Sequence, residues 1–241
     1  MKEFKNILIF GAGGIGKALI EELIDRNTVE NIFVTYHDNQ PAFSSSKVKC
    51  FKVDISSEQA ISEFFNLIKV HTEKIDLMIS TIGILYSGTN MPEKSINQVS
   101  SDWLEHSFKV NSFSFLWMNK YLKSFISKKD VTSIVALSAK VGSISDNKSG
   151  GWYSYRASKA ALNMFVKNIS LEFSRNNFNT TVLAIHPGTT ETNLTKPFES
   201  RFNYHLHSPK ETAKNILSII DKRSSSDTGK FLSWDNSEIE Y

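Results

Sequence analysis

Tyr155 and Lys159 carry complementary chemistry and lie four positions apart within the stretch 152–162. On a helix this spacing places both side chains on one face, where they can act on a single reacting centre. A phenol has an ordinary pKa of about 10, and an adjacent ammonium group favours the phenolate and lowers that pKa. The pair is therefore predicted to act as a general acid or base, although the same spacing also occurs on solvated helix faces.

A glycine-rich turn lies near the start of the chain. The apolar run 6–10 has the length of a strand, Gly11, Gly13 and Gly16 follow it, and residues 17–24 show helical periodicity. Glycines in this context let backbone amides reach a pyrophosphate, which then sits at the positive end of the helix. We therefore predict a dinucleotide site, the alternative being an ordinary glycine-rich turn between a strand and a helix.

These motifs, with Asn111 in a middle helix and Pro187-Gly188 after a late strand, resemble the short-chain dehydrogenase/reductase family over essentially the whole chain. The stretches 138–147 and 150–155 are similar to the bacterial C-factor-like branch. The resemblance implies one NAD(P)-binding domain over residues 1–241 that reduces a carbonyl or oxidises the matching alcohol. It implies that Tyr155 exchanges the proton, that Lys159 holds the nicotinamide ribose, and that Asn111 orders a water of the proton relay.

The resemblance also implies a set of residues that contact the cofactor. They are Gly11, Gly13, Gly14, Ile15, Gly16, Tyr36, His37, Asp54, Ser80, Gly83, Tyr155, Lys159, Pro187, Gly188, Thr190 and Thr192. Asp54 has a second interpretation as the N-cap of the helix that begins near Ser57. Tyr36 stands where NAD enzymes hold the ribose with an acid, so we expect NADP(H), with NAD possible because Asp38 is close by.

The family's catalytic serine is replaced. Aligning Gly142 with the family motif places Ala139 at the serine position, and alternation along the strand would turn Ser138 to the opposite face. Ser138 and Ser143 are the two candidate catalytic hydroxyls that remain. This departure supports a second hypothesis, a cofactor-binding signalling or regulatory protein with weak or lost turnover. A sugar-nucleotide epimerase is disfavoured because no added substrate domain follows.

Composition sets further limits. The 241 residues carry a net charge of +3 without a Lys/Arg cluster, so no nucleic-acid partner is expected. A single cysteine, Cys50, excludes an internal disulfide, and no metal ligands group together. No apolar run has the length of a membrane span and no signal peptide is recognisable, so a cytoplasmic enzyme without membrane contact is expected.

Apolar runs alternate with helical patterns along the chain. This alternation predicts an α/β fold, a doubly wound, Rossmann-like parallel sheet in three α/β/α layers. Strands are predicted near 5–10, 31–36, 48–53, 75–80, 131–138, 180–186 and 230–234. Helices are predicted near 14–26, 57–71, 101–127, 152–175 and 209–222.

Two further expectations concern partners. The segment 189–208 is predicted to be a mobile lid over a small-molecule carbonyl or alcohol, with Phe198, Phe202 and Tyr204 facing an apolar pocket. A homodimer or homotetramer is expected from the apolar residues of two helices, which are more numerous than one sheet face needs. They are Trp103, Phe113, Trp117, Leu162, Phe165 and Ile169.

Overall fold

Seven parallel strands form one sheet in the computed structural model, which describes residues 2–201 and 206–241. The strands are β1 (Asn6–Phe10), β2 (Asn31–Tyr36), β3 (Val48–Lys52), β4 (Leu77–Ser80), β5 (Thr132–Leu137), β6 (Thr180–His186) and β7 (Phe231–Ser233). Their spatial order is β3-β2-β1-β4-β5-β6-β7. The order reverses between β1 and β4, and ligands of such sheets bind outside the carboxyl ends of the strands at this point.

Six α-helices accompany the sheet in the described parts of the chain. They are α1 (Gly14–Ile24), α2 (Glu58–Ile68), α3 (Ser101–Phe108), α4 (Ser114–Leu122), α5 (Tyr153–Arg175) and α6 (Pro209–Lys222). Alternate residues of β1 enter different cores: Leu8 packs with the α2, α4 and α5 side, and Ile9 with the α1 and α6 side. The predicted α/β/α fold is therefore confirmed.

The predicted helix 101–127 is interrupted. A π-helical turn at Lys109–Phe113 separates α3 from α4, and a short 3-10 turn at Lys123–Phe125 follows α4. π-turns inside α-helices are rare and often mark functional sites. This one contains Asn111.

Several residues predicted to form a subunit interface lie inside the subunit instead. Trp103, Leu162 and Ile169 are buried, and Leu162 and Ile169 belong to the core on the α2, α4 and α5 side of the sheet. The exposed large hydrophobic side chains on α4 and α5 are Leu116, Tyr153, Met164 and Leu171. No described helix is long and apolar enough to cross a membrane.

Candidate active site

The glycine turn after β1 has the geometry of a dinucleotide cradle. Gly11 adopts a φ of +95°, which favours glycine, and a side chain at Gly16 would overlap the Gly11 carbonyl. Gly13 is the N-cap of α1, no side chain of the described residues caps this helix, and the space beside Gly13 is open. The first-turn amides of α1 therefore face an open space, as a pyrophosphate requires.

Three adjoining cavities follow the carboxyl edge of the sheet. The first, of about 340 Å³, includes Gly11, Gly13, Tyr36, His37 and Asp38 in its lining. The second, of about 210 Å³, runs past the turn to the Tyr-Lys pair, and its walls include Gly13, Gly14, Ile15, Gly16, Gly83, Ser138, Tyr155, Lys159, Pro187 and Thr192. The third, of about 330 Å³, lies beyond Tyr155 and shares Ile15, Ser138, Pro187 and Thr192, with Gly188 and Thr190 added. Most of the predicted site residues thus meet along one groove.

Tyr155 and Lys159 lie on the first turns of α5, and both are buried. The Lys159 Nζ atom lies 6.0 Å from the centre of the Tyr155 ring and donates to the Leu137 and Ile82 carbonyl oxygens at 2.9 and 3.3 Å. Burial raises the pKa of Tyr155 to about 12 and lowers the pKa of Lys159 to about 7. The expected lowering of the Tyr155 pKa by its neighbour is therefore wrong for this structure, because desolvation dominates.

Gly83 makes room for the lysine. A side chain at this position would contact the Lys159 ammonium group at 3.2 Å and the Asn111 Oδ1 atom at 3.8 Å. The Asn111 amide accepts from the Ile84 N–H group at 2.8 Å and donates to the Ile84 carbonyl at 3.0 Å and to Ser158 at 2.9 Å. The amide thereby ties the chain after β4 to α5. Its role in ordering a relay water stays a prediction.

Neither candidate serine offers a free hydroxyl hydrogen to the groove. Ser138 borders two of the cavities but donates its hydrogen to the Asn163 amide oxygen at 2.6 Å. Ser143 is buried and accepts from the Asp146 N–H group, and it is not among the described residues around the cavities. Ala139 does line the third cavity, so the position of the family's serine faces the groove without a hydroxyl group.

Two other predicted contacts lie away from the cavities. Asp54 is exposed and accepts from the Ser56 N–H and hydroxyl groups, while Ser57 caps α2 through the Ala60 N–H group. The N-cap interpretation of Asp54 is therefore wrong by three residues. Ser80 is buried in β4, and neither residue is among those described around the cavities. Their contact with the cofactor has no support from this geometry.

The two ends of the segment 189–208, which is predicted to be a lid, are hydrogen-bonded to each other. Thr190 and His207 form a parallel bridge, and the His207 N–H group donates to the Thr189 carbonyl. Gly188 has a φ of +78°, and a side chain there would strike the His207 ring. Phe198 lines the third cavity as predicted, whereas Phe202 and Tyr204 lie outside the described residues.

Two features of the site escaped sequence reasoning. Thr81 donates to the carbonyl oxygens of Phe10 and Gly11 and fixes the glycine turn to the end of β4. Trp152, the N-cap of α5, has a left-handed backbone and lines the third cavity. The Gly150-Gly151 pair before it was the available signal, since consecutive glycines mark unusual backbone conformations.

The comparisons agree with this geometry. A family model of the short chain dehydrogenase type matches residues 5–202, and the chain belongs to this family of oxidoreductases. It is 25% identical to the 1-hydroxy-2-glutathionyl-2-methyl-3-butene dehydrogenase of Rhodococcus sp. (strain AD45), over 98% of this chain and 99% of that protein. It is 26% identical to C-signal of Myxococcus xanthus, over 70% of this chain and 95% of that protein. The NADPH-bound carbonyl reductase from chicken fatty liver superimposes with a TM-score of 0.85 at 19% identity, over 100% of this chain and 96% of that chain.

Proposed function

We propose that this protein is an NADP(H)-preferring carbonyl reductase that works as a single domain over residues 1–241. The observation that carries the proposal is the position of Tyr155, which borders both the cavity that leads from the glycine turn and the cavity beyond it. A group bound on the glycine turn and a small molecule in the third cavity would meet at this phenol. The family membership supports oxidoreductase chemistry with a small-molecule substrate.

The chain's own groups supply proton transfer and orientation. A nicotinamide cofactor held on the glycine turn would supply the hydride for the carbonyl carbon. Tyr155 donates its proton to the carbonyl oxygen, so that an alcohol forms, and solvent returns the proton to the phenolate. Lys159, in its charged form, stabilises that phenolate and would hold the nicotinamide ribose of a bound cofactor. Asn111 keeps the wall behind Lys159 in place through Ile84 and Ser158.

The preference for NADP(H) rests on the far end of the first cavity. Tyr36 and His37 line it, and the His37 Nδ1 atom lies 2.9 Å from the Asp38 carboxylate. This contact gives the Asp38 carboxylate, which would otherwise repel a 2′-phosphate, a partner. A solved relative of the same fold is an NADPH-bound carbonyl reductase, which supports the same choice.

A second candidate is a cofactor-binding signalling protein with weak turnover. The engaged hydroxyl of Ser138 and the apolar Ala139 favour it, because among the described lining residues of the third cavity the only serine donates to Asn163 and not to a substrate carbonyl. The similarity to the protein named C-signal also supports this second candidate, because that name describes a signalling protein. NADPH oxidation measured over a panel of neutral carbonyl compounds separates the two: turnover supports the reductase, and cofactor binding without any turnover supports the signalling protein.

We also propose a homodimer or homotetramer. The half-buried Phe113, Trp117 and Phe165 and the exposed Leu116 and Met164 lie on neighbouring elements and offer an apolar surface. Water-exposed apolar surface of this kind favours association.

A further inference from the structure

A small apolar cluster stands apart from the two cores of the sheet. Its buried members are Leu85, Tyr155 and Phe198, and Trp152, Leu194 and Val141 pack against them. The Trp152 ring lies 5.9 Å from the Phe198 ring and 6.3 Å from the Tyr155 ring, measured between centres. Because these side chains also line the third cavity, the cluster forms one wall of the proposed substrate pocket.

Trp152 holds this position with an unfavourable backbone. Its φ of 50° and ψ of 44° lie in the left-handed region, which is rare for a bulky side chain. Gly150 and Gly151 before it share the left-handed conformation, so three such residues lead directly into α5. Conformations of this kind persist only where the surroundings enforce them, and they cluster at ligand sites.

Glu93 supplies the enforcing contacts. Its backbone carbonyl accepts from the Trp152 N–H group at 2.6 Å, and its buried carboxylate accepts from the Ser154 N–H and hydroxyl groups. Glu93 thus holds both residues that flank Tyr153 at the start of α5. It acts on the pocket through Trp152 and does not line the cavities in the described part of the chain.

The pocket beside Trp152 presents no unpaired charge among the described lining residues. Lys140 and Asp146 pair with each other at 3.4 Å. Burial lowers the pKa of His186 to about 4, so its ring is neutral near pH 7. A charged substrate would therefore find no counter-ion inside the pocket, whereas an apolar ring would find the Trp152 indole.

We propose that Trp152, held by Glu93, is the substrate-selecting residue of this site, and that it selects uncharged carbonyl compounds with a planar aromatic group beside the carbonyl. This inference rests on the proposed reductase function for its kinetic test. The aromatic group packs against the Trp152 indole while its carbonyl oxygen reaches the Tyr155 hydroxyl. Aromatic contacts of this type depend on ring geometry as well as on buried area.

The kinetic test compares benzaldehyde with propanal and 4-carboxybenzaldehyde. For the wild type we expect kcat/KM to be highest with benzaldehyde. Trp152→Ala lowers the ratio of kcat/KM with benzaldehyde to kcat/KM with propanal about ten-fold, because the contact with the substrate ring is lost, whereas lost packing against Tyr155 affects both aldehydes alike. Tyr153→Ala is the matched control, because Tyr153 is the neighbouring aromatic residue and is exposed. An equal loss with both aldehydes, or a wild type that prefers propanal or the carboxylate, would overturn the proposal.

Glu93 is tested by two variants. Both variants keep the Glu93 backbone carbonyl that accepts from Trp152, so they test the contact of the carboxylate with Ser154 at the start of α5. Glu93→Gln keeps an oxygen acceptor for the Ser154 N–H group and retains the benzaldehyde preference. Glu93→Ala removes this acceptor and lowers the preference through a raised KM, with kcat nearly unchanged. Equal loss in both variants would refute the positioning role of the carboxylate oxygens.

A binding assay separates this inference from the proposed function. In the Tyr155→Phe background with NADPH present, calorimetry measures benzaldehyde affinity without turnover. Affinity that falls about ten-fold on adding Trp152→Ala supports the inference even if the wild type reduces no carbonyl at all. The inference is contradicted if benzaldehyde binds Tyr155→Phe with and without Trp152→Ala equally tightly, or if it does not bind. A wild type that reduces propanal but neither binds nor reduces benzaldehyde would support the proposed function and contradict the inference.

Discussion

Replacing Lys159 by Met should make the protein more stable while abolishing its activity. The Lys159 side chain is buried, and burial lowers its pKa from 10.5 to about 7. Because the folded-state pKa lies below the unfolded value, the unfolded chain binds more protons between these limits. The charged lysine therefore destabilises the fold, fully so below pH 7, and the penalty fades as the pH rises towards 10.5.

The magnitude follows from this shift. The penalty is about 4 kcal/mol at pH 7 and about 2 kcal/mol at pH 9. Methionine has a similar apolar stem but loses the hydrogen bonds to the Leu137 and Ile82 carbonyls, worth about 1 kcal/mol each. We expect a net gain of about 2 kcal/mol at pH 7, a rise in Tm of roughly 4–8 °C for a chain of this size, and almost no gain at pH 9.

Urea unfolding without cofactor at both pH values measures this difference. Lys167→Met is the matched control, because Lys167 lies on the same helix and is exposed, so its effect on stability should not change with pH. A Lys159→Met variant that is less stable than the wild type at pH 7, or whose effect is equal at both pH values, would refute the conclusion that burial of the Lys159 ammonium group destabilises the fold.

Three further expectations concern pH, cofactor and assembly. Tyr155 stays protonated up to about pH 12, whereas Lys159 loses its charge as the pH rises through about 7. We therefore expect kcat/KM for NADPH in carbonyl reduction to fall above pH 7. Initial rates measured from pH 5.5 to 9.5 check this expectation, and a flat profile argues against it. His37→Ala should weaken NADPH binding several-fold and leave NADH binding unchanged, because only the former carries a 2′-phosphate. Fluorescence titration measures both affinities, and a wild type that binds NADH more tightly would reverse the proposed preference. Light scattering at micromolar concentration should give a dimer or tetramer mass, and a monomer mass would disprove the proposed association.

The sheet was predictable because its strands are short apolar runs that alternate with helical patterns. The glycine turn and the Tyr155–Lys159 spacing likewise located the groove, since both are local in sequence. The π-turn around Asn111 was not predictable, because neither glycine nor proline marks it. The π-turn coincides with hydrogen bonds from Asn111 to Ile84 and Ser158, two residues that are distant from Asn111 in the sequence.

Contacts made across the fold explain the remaining differences. Alternation along β5 does not reveal that Ser138 donates to Asn163 on α5. Apolar helix residues such as Trp103 and Leu162 could serve a core or an interface, and only the packed structure shows that they are buried. The desolvation of Tyr155 also depends on the surrounding fold, whereas model-compound pKa values describe exposed groups.

The most direct test of the account is NADPH oxidation with benzaldehyde by the wild type and by Tyr155→Phe, with Tyr153→Phe as the exposed control on the same helix. Loss of the general acid should lower turnover at least ~100-fold. NADPH affinity should stay within about two-fold, and Tyr153→Phe should match the wild type. A Tyr155→Phe variant that reduces the aldehyde at the wild-type rate would contradict the central role assigned to this phenol.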